Sequence, residues 1–132
     1  MIKNEDYLII TSIGFLIPTF YGLFYLKSWF ALCSYFSSII SILHWNYPDN
    51  KIITNIDIKT QTIIGILYFI FGSIYITTPY LVTISYFNLL LAITCFTISC
   101  YMHKYQISEW YYFHIFFHIF VIFNKIIFYL EM

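Results

Sequence analysis

TQTIIGILYFIFGSIYITTPYLVTISYFNLLLAITCFTISCYM, residues 60–102, runs for 43 positions without an Asp, Glu, Lys or Arg. An α-helix rises about 1.5 Å per residue, so roughly 20 residues cross the hydrocarbon of a bilayer. The stretch is about twice that length and must turn back once. Thr77-Thr78-Pro79 supplies the turn. Runs such as IIGILYFIFGSIYI are apolar on every face, whereas strands of a membrane β-barrel alternate between lipid and a polar lumen. The expected fold class is therefore all-α, a polytopic transmembrane helical bundle.

The rest of the chain agrees. Of its 132 residues 61% are hydrophobic, 24% aromatic and only 9% charged, far below the quarter or so that a water-soluble domain carries. The formal net charge is zero with no basic block, which argues against nucleic acid or a charged lipid patch as partner. Cys33, Cys95 and Cys100 lie inside apolar runs without CxxC spacing, so they read as packing residues. The first apolar stretch is too long for a signal-peptide core and is expected to remain as a helix.

Working outward, about five spans are expected, at residues 7–26, 28–47, 57–77, 80–102 and 108–130. Pro18 is expected to kink the first. Asn46-Tyr47-Pro48-Asp49-Asn50 stops the second, and a polar link leads to the third. Ser108-Glu109 starts the fifth. Short cytoplasmic loops carry the excess of positive charge. Lys3, Lys51, Lys59 and Lys104 lie on one side against Lys27 and Lys125 on the other, which places the N-terminus in the cytoplasm. Lys125 is expected to snorkel to the outer interface. Trp29, Trp45, Trp110 and Tyr111 read as interface anchors, and Asn88 and Asn124 as partners in interhelical hydrogen bonds.

The chemistry gathers on one side. In the fifth span, His114 and His118 stand four residues apart on one helical face, a spacing that can grip one metal ion. Counted from Glu109 they lie roughly 7–8 Å and 13–14 Å deep. His44, near the end of the second span, enters from the same membrane face and shares a stripe with Ser37 and Ser41. Asp57 starts the third span on that face, where it also suits the positive helix terminus. Three neutral imidazoles around zinc leave one position open to water, whose pKa then falls to about 7, and a nearby carboxylate can orient it or take its proton.

In kind and order these residues resemble the CREST superfamily of membrane hydrolases, which includes alkaline ceramidases and the adiponectin and progestin receptors. That family carries a Ser and a His near the end of one helix, an Asp at the start of the next and HxxxH in the last. Ser41, His44, Asp57, His114 and His118 match, and FHIFFHIFV is similar to the HxxFH run of the receptor branch. The resemblance implies zinc on His44, His114 and His118, with Asp57 and Ser41 assisting catalysis on a lipid amide or ester. The family usually has seven spans and places its Ser four residues before the His, where this chain has Ile40.

Other readings of the same residues stay open. The histidines can fix helix packing through hydroxyls and carbonyls, and Ser37 and Ser41 can be small residues that permit close contact. His103, beside Lys104, reads as solvated. A haem-binding protein would use one His from each of two helices and leave the partner four residues away unexplained. A noncatalytic scaffold, such as an assembly component of a viral envelope, is the other alternative. Membrane lipids are the expected partners. A homo-oligomer is open too, with Gly14, Gly22, Gly65 and Gly72 as close-contact points, although no GxxxG occurs.

Five spans put the termini on opposite sides. Glycosylation or cysteine-accessibility tags at both ends should report an inside N-terminus and an outside C-terminus, and finding both on one side would exclude an odd span count.

Overall fold

Why the chain breaks where it does is visible in its first helix. In the computed structural model, which describes residues 4–24 and 28–131, α1 (Asn4–Ile13) stops and α2 (Leu16–Phe24) continues the path. The expected kink at Pro18 is instead a break at Gly14-Phe15. Pro18 sits in the first turn of α2, where a missing N–H costs least. The carbonyl of Ser12, freed from the helical ladder, accepts from Phe15 N (3.2 Å) and from the Ser38 hydroxyl (2.7 Å). Gly14 lies so close to α6 that an added Cβ would come within 2.9 Å of Ile122.

Four longer helices follow: α3 (Ser28–Asn46), α4 (Lys51–Tyr75), α5 (Pro79–Lys104) and α6 (Trp110–Glu131). Among the described residues there is no strand. The path Glu5–Phe24 and helices α4, α5 and α6 are each long and apolar enough to cross a membrane. The all-α bundle is thus of the kind expected for an integral membrane protein. Helix α4, the expected third span, starts earlier than the sequence suggested, at Lys51 instead of 57. Asn50 caps it, its side chain accepting from Ile52 N and Ile53 N. Asp57 is therefore well inside α4 and does not mark a helix start. Pro79 opens α5 at the first helical position, as a residue without an N–H can. The turn after α5 closes with Gln106 at positive φ (56°), Gln106 N donating to His103 O and Ile107 N to Met102 O, the Schellman pattern. Lys3 and Lys27, which helped set the expected orientation, lie outside the described residues.

Among the described residues the interior is half polar and the outside is largely apolar. Ser12, Thr19, Ser34, Ser37, Ser38, Ser41, Asp57, Ser99, His118 and Lys125 are buried, as many polar side chains as apolar ones, while large apolar residues such as Phe20, Phe24, Ile52, Ile63 and Ile74 face outward. This inverts a water-soluble core, and it suits lipid. Ser34, Ser37, Ser38 and Ser41 form one stripe of α3 at helical spacing. Ser34 bonds to Tyr68 (2.8 Å) and Tyr129 (3.3 Å), Ser37 donates to Gln61 (2.6 Å), and Ser41 bonds to Ser12 (3.0 Å). One helix thereby joins α1, α4 and α6. An apolar cluster of Phe30, Phe128 and Tyr129 fills the other end.

Helix α5 stands apart. It packs along α6, whereas the backbones of α4 and α5, though consecutive, stand apart and are joined by a long hydroxyl contact between Ser73 and Tyr86 (3.5 Å). Their connection is latched to the end of α6 by Glu131, whose carboxylate accepts from Thr77 N, Thr78 N and the Thr78 hydroxyl. Lys125 does not snorkel: it is 4% exposed. Among the described residues neither Asn88 nor Asn124 makes an interhelical hydrogen bond, and Asn124 Oδ1 is buried without a partner.

Two glycines test this packing in opposite directions. A Cβ on Gly22 would stand 2.9 Å from the ring of Tyr129, which Ser34 and Tyr68 hold in place. Gly22→Ala should cost about 1–3 kcal/mol, as overpacked cores do. A Cβ on Gly65, mid-helix in α4, meets nothing within 4 Å, so Gly65→Ala should leave stability unchanged or raise it by up to about 1 kcal/mol through helix propensity. Thermal unfolding of the two variants in detergent measures both; equal effects would contradict the packing at Gly22.

Candidate functional site

At the end of the bundle where α3 stops, α4 starts, α5 stops and α6 starts, the helices enclose a cavity of about 540 Å³. All five residues singled out from sequence, Ser41, His44, Asp57, His114 and His118, line it. The i, i+4 pair of α6 stands as expected, its imidazole centroids 4.9 Å apart. His44 joins from α3, where Tyr47 N donates back to the His44 carbonyl (3.1 Å) as the helix ends.

Each imidazole is held by a hydroxyl from another helix. His118 Nδ1 lies 2.9 Å from Thr11 Oγ1 of α1, His44 Nδ1 lies 3.2 Å from Thr54 Oγ1 of α4, and His114 Nδ1 lies 3.2 Å from Ser99 Oγ of α5. Thr11 already donates its proton to Leu8 O, and Thr54 donates to Asn50 O. A threonine that donates to its carbonyl can also accept from its histidine. With the proton of His118 and of His44 on Nδ1, each ring keeps a lone pair on Nε2. No hydrogen-bond partner of any of the three Nε2 atoms occurs among the described residues. Nδ1 fixed by a neighbour with Nε2 left as a base is how metal-binding histidines are oriented.

The carboxylate is oriented too. Asp57 Oδ1 accepts from Gln61 Nε2 (3.0 Å), whose amide also donates to Ser37 O and accepts from the Ser37 hydroxyl. Ser12 donates to Leu8 O, so Ser41 is the donor in the bond between their hydroxyls. Sequence reading missed Gln61, although its i, i+4 spacing from Asp57 was there to find. It also missed the three hydroxyl partners of the histidines, which only the tertiary arrangement brings into place.

The tryptophans add to the site. Trp45 and Trp110, both half-buried at the helix ends, form part of the cavity wall. Trp45 touches His44 (4.4 Å between centroids), His114 (5.1 Å) and Trp110 (5.9 Å), and its buried Nε1 has no partner. His103 is exposed yet packs edge-on against Trp110 (4.7 Å) at the same cavity. Trp29 does face outward, at 72% exposure.

In kind, the donors suit a zinc ion: neutral imidazoles with free Nε2 atoms and a carboxylate nearby. In position, they form a pair plus one, with the Trp45 ring against both His44 and His114. Among the described residues no three His, Cys, Asp or Glu side chains stand close enough together to hold a metal ion. Joining His44 to the pair requires the three imidazoles to come closer together. No protein-family model matches the chain, and no curated protein or solved structure matches it either.

Proposed function

We propose that this cavity is the site of a zinc-dependent hydrolase acting on an acyl bond of a membrane lipid, an amide or ester. The observation that carries the reading is that three imidazoles from two helices, each with Nδ1 occupied and Nε2 unpartnered, line one cavity with a buried carboxylate. The order of Ser41, His44, Asp57, His114 and His118, which resembles the CREST superfamily, supports the same reading.

In this account His44, His114 and His118 would hold the ion through Nε2. Zinc, when bound, polarises a carbonyl and lowers the pKa of water. The protein supplies the rest. Asp57, held at Oδ1 by Gln61, keeps Oδ2 to orient a water and receive its proton. Ser41 lines the same wall, its oxygen still able to accept a hydrogen bond. Phe96, Phe117 and Trp45 offer an apolar surface to an acyl chain and exclude bulk water. The position of the cavity at one end of the helices suits a lipid carbonyl, which lies near the headgroup boundary.

The specific observation favouring a purely structural role is the same set of hydroxyl bonds, since packing histidines need partners too. Metal content separates the two. Protein purified without chelator should carry about one zinc per chain, and His118→Ala should lose it. Thr11→Val should weaken zinc about 10- to 100-fold by freeing the His118 ring. Asp57→Asn should keep zinc while lowering release of fatty acid from ceramides or lysophospholipids by about 100-fold or more. Equal zinc in wild type and His118→Ala would leave the histidines as packing residues, and no more fatty acid from zinc-loaded wild type than from His114→Ala would leave the zinc site structural.

A further inference from the structure

The buried charge that the proposed hydrolysis does not use is Lys125. Its Nζ lies 4.7 Å from the ring centroid of Phe15 and 5.2 Å from that of Tyr68, and among the described residues no carboxylate pairs with it. It stands six residues before the end of α6, roughly 9 Å inside that end. Aromatic faces attract an ammonium but do not neutralise it. An ammonium without an anion in a low-dielectric interior is costly, and a neutral amine there still needs a donor for its lone pair.

Lys125 lines a second cavity, of about 150 Å³, between α4, α5 and α6. Asn124, with its unpartnered buried Oδ1, lines it as well. Phe69, Ser73 and Tyr86 at its rim are exposed, and the backbones of α4 and α5 are well separated there, with one long hydroxyl contact, Ser73 to Tyr86 at 3.5 Å, crossing the cleft. A volume of this order accepts a group about the size of benzene. It admits a small head and its first carbons, leaving a chain to run out through the cleft, and it excludes the branched headgroup of a two-chain lipid.

We propose that the cleft between α4 and α5 binds a single-chain carboxylic acid, a fatty acid, whose carboxyl group meets Lys125 and whose chain leaves toward the surrounding apolar phase. A carboxylic acid satisfies the lysine in either form. With the proton on nitrogen it supplies the missing anion, and with the proton on oxygen it donates to the amine or to Asn124 Oδ1. No histidine and no metal takes part, so this site stands whether or not the other cavity hydrolyses anything.

The test is equilibrium binding to the full chain in a non-ionic maltoside detergent, using a long-chain fatty acid with a fluorophore at its methyl end and the methyl ester of the same probe. Wild type and Lys125→Arg should bind the acid saturably, and the ester should bind about tenfold more weakly or worse, a difference of about 1.4 kcal/mol. Lys125→Met should weaken the acid by about tenfold or more. Gly65→Leu supplies an independent variant, because its side chain enters open space in the cavity and leaves the lysine untouched. It should weaken the acid likewise while keeping the thermal transition of the wild type. Equal affinity for acid and ester, or unchanged acid binding in Gly65→Leu or in a folded Lys125→Met, overturns the proposal.

Discussion

The hydroxyl bonds of the α3 serine stripe are the constraint on which the rest of the structure depends. In an apolar surrounding, water cannot satisfy a polar group, so each buried hydroxyl must find its partner within the bundle. Ser34, Ser37, Ser38 and Ser41 find theirs on three other helices. The stripe lowers the hydropathy of α3, which is not among the segments apolar enough to be assigned a span on composition, yet it makes α3 the helix around which α1, α4 and α6 register. Burial of apolar area does little for association where the outside is equally apolar. Close packing and interior hydrogen bonds do it instead.

The same economy of partners prepares the histidine cavity. Thr11, Thr54 and Ser99 satisfy one nitrogen of each imidazole, and the two threonines also bond back to backbone carbonyls of their own helices. Gln61 does the equivalent for Asp57 while bonding back to Ser37 of the stripe. The site is thus an extension of the interior network toward one end of the bundle, and a shift of α3 or α4 would disturb both. Toward the other end, the network gives way to the Phe30, Phe128 and Tyr129 cluster and to a lysine held between aromatic rings.

How much of this the sequence disclosed follows from which features are local. The charge-free run at residues 60–102 fixes two helices because length against bilayer thickness leaves no other reading. The histidine pair is legible because i, i+4 geometry is intrinsic to a helix, and His44 and Asp57 were placed on the same side by counting rise along each span. The start of α4 was misplaced because polar residues at 51–59 resemble a link, whereas the Asn50 cap and the Asp57–Gln61 spacing mark a helix. Lys125 departs from expectation for a tertiary reason: the snorkelling rule assumes that a side chain can reach the interface, and neighbouring helices decide whether it can. The break at Gly14-Phe15, in place of a kink at Pro18, likewise depends on Ser38 and Ile122, which belong to other helices.

If the cavity holds zinc as proposed, the histidine nitrogens left without partners are the atoms that meet it. X-ray absorption at the zinc edge of the purified protein measures this directly. The account predicts three nitrogen neighbours at about 2.0–2.1 Å with the outer-shell scattering of imidazole rings. A sulfur neighbour at about 2.3 Å, or a shell of oxygen alone, would contradict it.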